Sequence, residues 1–129
     1  MTEHPNAVAA RRSYAASNSG DLDVIREYFT DDAVLHLAGN NAMSGTYRGR
    51  DGVMDAIARA SQGWGLHSEL ETILASDDHV IAFVRVTSER DGKALDVVQA
   101  LAIKVNAEGK IREAWYLADD QRAFDQFWS

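Results

Sequence analysis

The sequence predicts an α+β fold in which a cone-shaped, curved antiparallel sheet packs on three N-terminal helices. Two observations carry this. Apolar residues recur with a helical period of about 3.6 through the first half of the chain, and from Leu66 the period falls to about 2. Turn signals then divide the second half into four long segments, so three helices precede a strand meander. Strands of that length must bend, and a sheet curled round helices leaves one open mouth, the natural place for a pocket.

Residues 6–18 read as the first helix, with Pro5 at its start and Ala7, Ala10 and Tyr14 on one stripe. Asn18-Ser19-Gly20 ends it, and Asp21 caps a short second helix whose stripe is Leu22, Ile25 and Phe29. Ala33–Leu37 is a strand, and residues 40–50 are loop, with room for a short strand near Thr46-Tyr47. Asp51 caps a third helix carrying Val53, Ile57 and Ala60, closed by Gly63-Trp64-Gly65. Strands follow at about 66–76, 79–90, 93–105 and 110–119. Residues 120–129 form a short tail with Phe124, Phe127 and Trp128. No repeat, linker or low-complexity run interrupts this, so residues 1–129 read as one domain.

Composition bounds the function. A length of 129 residues with 46% hydrophobic and 26% charged residues suits a globular core. No cysteine is present, which excludes disulfides and thiolate chemistry. A net charge of −7 opposes nucleic acid and anionic membranes as partners. No run approaches the roughly 20 apolar residues of a membrane span, and the N-terminus lacks the order of a signal peptide, so a cytoplasmic location is expected. His4, His67 and His79 show no ligand spacing, so no metal is expected.

Asp91-Gly92 sets which residues share a face. Across that two-residue turn Val86 opposes Val97, Val84 opposes Gln99 and Ala82 opposes Leu101. This face is apolar apart from Gln99 and should line the cone, where the lone amide either binds ligand or pairs with a core group. The opposite face mixes Phe83, Val98, Ala100 and Ala102 with Arg85, Asp96 and Lys104. It suits either a homodimer interface on the convex sheet or a solvated surface. The last strand has two registers. With all of Asn106 to Gly109 in the loop, Tyr116 opposes Gln99 and faces the pocket. With Gly109 as a bulge, which Asn-Ala-Glu-Gly suits better, Trp115 opposes Leu101 and Asp119 points inward. Tyr14, Trp64 and Trp115 are candidates for the cone mouth, and with the apolar face they favour an apolar or aromatic small molecule.

The segments SGDLD, YFTDDAVLHLAG and SGTYRGRDGV resemble the SnoaL-like branch of the nuclear transport factor 2-like superfamily, and GKIREAW followed by an acid resembles its last strand. Ketosteroid isomerase and polyketide cyclases share that cystatin-like fold, so the resemblance implies a cone. Steroid isomerases of the fold use a strand carboxylate, a helix tyrosine and a sheet aspartate. The matching positions here hold His36 or Leu37, Ser13 beside Tyr14, and Leu101. The comparison with cyclases implies Asp119, four residues after Trp115, as general acid/base. His36 alternates with Leu35 and Leu37, and its imidazole would serve as proton partner opposite Asp119, the alternative being a core or exposed histidine.

Two functions follow. One is a cofactor-free isomerase or cyclase, with catalytic His36 and Asp119 and ligand contacts from Tyr14, Trp64, Val84, Gln99, Leu101, Trp115 and Tyr116, acting on an apolar carbonyl-bearing molecule. The other is a non-catalytic small-molecule-binding or dimerisation module of the same fold.

Overall fold

The structure is a computed structural model that describes residues 3–62 and 67–128. Helices α1 (Pro5–Ser19) and α2 (Leu22–Glu27) lead into strand β1 (Phe29–Leu37), and β2 (Gly45–Arg48) precedes helix α3 (Arg50–Gln62). Strands β3 (His67–Ala75), β4 (His79–Arg90), β5 (Lys93–Val105) and β6 (Ile111–Ala118) follow, and helix α4 (Gln121–Phe127) comes last. The α+β expectation holds, and the sheet is curved and open.

The sheet has six strands in the order β2-β1-β6-β5-β4-β3. Two features depart from the simple meander. β1 runs parallel to β6, pairing Leu35 with Ala114 and Leu37 with Tyr116, and β2 pairs antiparallel with the far side of β1. The tail is not irregular: Asp120 caps α4 by accepting from Ala123 N. Helix α3 begins one residue before Asp51, which sits in its first turn instead of capping it.

The β4–β5 hairpin has the expected register, with Val86 opposite Val97, Val84 opposite Gln99 and Ala82 opposite Leu101. Asp91 (φ 51) and Gly92 (φ 78) both occupy the left-handed region, as a type I′ turn demands. A Cβ at Gly92 meets nothing within 4 Å, so only backbone strain opposes one. Gly92→Ala should therefore cost about 1–2 kcal/mol, read as a lower urea midpoint at unchanged slope.

The last strand follows neither expected register. Lys104 pairs with Glu113 and Val105 with Ile111, which leaves Arg112 as an extra residue on β6. The loop before it is held by Asn106, whose Oδ1 accepts from Glu108 N (2.9 Å) and Lys110 N (3.0 Å). Gly109 is left-handed as expected (φ 77), but the kink falls at Arg112. Tyr116 therefore opposes Leu101, and Trp115 opposes Ala102 on the outer face.

The core lies between the concave sheet face and the helices. Leu35, Val53 and Val80 are its largest fully buried side chains, joined by Ile25 and Phe29 from α2 and the start of β1. A second cluster joins Val84, Val86, Leu95 and Val97 to Met43, Phe127 and Trp128. Among the described residues no helix is long and apolar enough to cross a membrane.

Candidate ligand-binding site

A cavity of about 450 Å³ opens between α1, α3, α4 and the concave face of the sheet. Its sheet wall comes from the alternation of β4 and β5, which turns Ala82, Val84, Val86, Gln99, Leu101 and Ile103 inward. Tyr116 adds an aromatic ring from β6 and Tyr14 another from α1.

Several polar groups interrupt this surface, among them Tyr14, Gln99 and Tyr116. The Tyr14 hydroxyl is buried and finds no hydrogen-bond partner. The Gln99 amide and the Tyr116 hydroxyl make no side-chain hydrogen bond to another described residue. Burial pushes the Tyr116 phenol up to about 12, so it stays protonated and can donate a hydrogen bond at any working pH. Gln99 and Tyr116 are diagonal neighbours on adjacent strands, within reach of one small ligand. Buried polar groups normally have partners, so the Tyr14 hydroxyl, buried without one beside the free donors of Gln99 and Tyr116, makes this cavity the candidate ligand site.

The structure brings Tyr14, Val84, Gln99, Leu101 and Tyr116 together at this cavity. Trp64 lies outside the described residues. His36, Asp119 and Trp115 lie outside the cavity lining.

His36 does alternate with Leu35 and Leu37, but the leucines face inward and the imidazole outward. Its Nε2 lies 2.8 Å from Glu113 Oε2 and its Nδ1 3.1 Å from Thr46 Oγ1. Trp115 stacks on it, ring centroids 5.1 Å apart at 12°, with Lys104 Nζ 5.3 Å from the indole. These groups tile the convex face and cannot touch a ligand inside the cone. Asp119 lies just beyond β6 and is exposed, its carboxylate accepting from Val98 N (3.0 Å) and Asp120 N (2.8 Å). Its carboxylate ties the end of β6 to β5 and lies outside the cavity lining.

A SnoaL-like domain family model matches residues 10–114. The chain belongs to the SnoaL-like family. This SnoaL-like chain is similar to the uncharacterized protein Rv0034 of Mycobacterium tuberculosis, at 32% identity over 133 residues and 100% of both chains. Among solved structures it is similar to Bal32a from a soil-derived mobile gene cassette, with a TM-score of 0.89, 34% identity, and 96% of each chain covered. It is also similar to IdmH, a putative polyketide cyclase from Streptomyces antibioticus, with a TM-score of 0.77 and 25% identity. That match covers 96% of this chain and 99% of IdmH.

Sequence reasoning missed Asn41, Met43, Gln121, Phe124 and Trp128, which line the cavity from the loop after β1 and from α4. The capping Asp120 followed by Phe124 and Phe127 was a readable helix signal. Among the described residues no cluster of three His, Cys, Asp or Glu side chains could hold a metal ion.

Several carboxylates of the SnoaL-like chain titrate below their ordinary range. A hydrogen bond from His36 lowers Glu113, bonds from Gln121 and Asn41 lower Asp125, and Arg85 lowers Asp96. A depressed folded-state pKa contributes stability that is present above the unfolded pKa and lost as pH falls through the folded one. The melting temperature should therefore hold steady down to about pH 5 and fall below about pH 4. Glu113→Gln should flatten part of that fall.

Proposed function

We propose that this SnoaL-like protein binds an uncharged, apolar small molecule carrying a carbonyl-type oxygen in its cone, and that its own residues transfer no proton there. One observation carries the reading: among the described residues, no Asp, Glu, His, Lys or Arg side chain lines the cavity. Proton abstraction next to a carbonyl needs a base that titrates near the working pH, and a phenol at about 12 does not. Hydrogen-bond donors on apolar walls, by contrast, are what a neutral acceptor oxygen needs. Tyr14, Gln99 and Tyr116 would hold that oxygen, while Val84 and Leu101 would contact the apolar body.

The test uses 2-acetylnaphthalene as probe. Saturable uptake should appear in a fluorescence titration and vanish in Val84→Trp, whose indole fills the sheet wall. The acetyl protons should exchange for solvent deuterium no faster than in buffer. Accelerated exchange would reject the non-catalytic reading in favour of an isomerase or cyclase, which the likeness to IdmH supports.

The convex sheet face supports a second copy as partner. Leu74, Leu117, Ile81 and Phe83 are 61%, 46%, 42% and 39% exposed there. Val98, Ala100 and Ala102 lie among them, and the Arg85–Asp96 pair (2.7 Å) stands at the rim. Wild-type chain should sediment as a dimer and Phe83→Lys as a monomer; a monomeric wild type sinks this part alone.

A further inference from the structure

Given the reading of the cone as a binding site, we propose that α4 and the loop of residues 38–44 form a gate over it, latched by Asp125. Ligand exchanges when the two part. Asp125 is a positioning residue here, because it acts through two side chains that line the cavity. Its Oδ1 accepts from Asn41 Nδ2 at 2.7 Å and from Gln121 Nε2 at 3.0 Å. Gln121 continues the latch, with Nε2 3.3 Å from Ala38 O and Oε1 accepting from Ala118 N at 3.0 Å.

The loop is built to move as one body. Asn41 Oδ1 accepts from Met43 N (2.8 Å), and Asn41 N donates to Ser44 Oγ (3.0 Å). Ser44 Oγ in turn donates to Ala38 O at 3.1 Å. Gly39 makes the approach to α4 possible: its φ is +95, and a Cβ there would overlap the Asp125 carboxylate and the Gln121 amide.

The rest of the wall contrasts with this join. β4, β5 and β6 are tied by long backbone ladders, unbroken between β4 and β5 and interrupted between β5 and β6 only at Arg112, whereas the loop and α4 are joined by side-chain hydrogen bonds over an apolar seam. In that seam Met43 shares a cluster with Phe127 and Trp128, and Phe124 and Trp128 line the cavity. α4 is anchored at its C-terminal end, where Phe127 and Trp128 pack with Val84, Val86, Leu95 and Val97 of the sheet, so the bonds of Gln121 and Asp125 decide where the rest of the helix sits.

Hydrogen exchange and stopped-flow binding of 2-acetylnaphthalene test this together on the full chain. In Asp125→Ala and Gly39→Ala, amides of residues 121–127 and 38–44 should lose protection while β4 and β5 keep theirs. Losing a hydrogen bond to a charged acceptor should raise both on- and off-rates about tenfold, with Kd within about twofold. Asp125→Asn, which keeps an acceptor oxygen, should stay near wild type. Arg26→Ala, which cuts only the pair to Asp51, should change neither readout. Unchanged protection of α4 in the folded variants overturns the gate. So does a rise in off-rate alone, which marks a lost ligand contact. If wild type takes up no probe, the binding reading fails, and the exchange data still decide the gate.

Discussion

Tyr116→Phe should weaken uptake of a carbonyl probe by about 5- to 150-fold while leaving a hydrocarbon of the same shape bound as before. The phenol is protonated at every working pH and makes no hydrogen bond to another described residue, so its proton is available to an acceptor. Removing it leaves a desolvated oxygen unpaired, at a cost of about 1–3 kcal/mol. Tyr14→Phe makes a sharper test because two effects part company. The buried Tyr14 hydroxyl has no partner in the empty chain, so its removal should raise ligand-free stability by up to about 1–2 kcal/mol. The same change should weaken ketone binding. Such opposite signs mark a group kept for function at the expense of stability. A Tyr14→Phe chain that is less stable and binds equally well would show the hydroxyl to be structural. Isothermal titration and urea unfolding on the same preparations read both quantities.

Leu35→Ala should cost about 2–5 kcal/mol of stability. Leu35 is 2% exposed and sits in β1 between α3 and the rest of the sheet, so the groups around it have little room to collapse. Against a total of about 5–15 kcal/mol, that loss is large enough to populate unfolded chain at moderate temperature. Leu74→Ala is the matched comparison. At 61% exposed it should change monomer stability by less than about 0.5 kcal/mol. Equal losses at the two positions would mean that Leu74 is covered in solution.

Local signals carried much of this architecture. A two-residue turn leaves no freedom in register, so Asp91-Gly92 by itself places Val84, Gln99 and Leu101 on one face. The last strand resisted because its offset depends on one extra residue, Arg112, in a stretch where no glycine marks the kink. His36 does alternate with Leu35 and Leu37, but alternation alone does not say which side is the inside. The two flanking leucines were the better guide, since burying them gains more than burying an imidazole. The parallel pairing of β1 with β6 had no local signature at all. Neither did the contact between Asn41 and Asp125, which brings together two segments far apart in the chain.

That parallel pairing also orders events during synthesis. β1 leaves the ribosome early, but the neighbour that covers one of its edges is β6, so Leu35 waits for Ala114. Until then the first half of the protein is a set of short helices beside a strand with an open flank, the kind of nascent chain that invites chaperones. Premature termination anywhere before β6 should therefore yield a polypeptide that is degraded or aggregates, and not a smaller working cone.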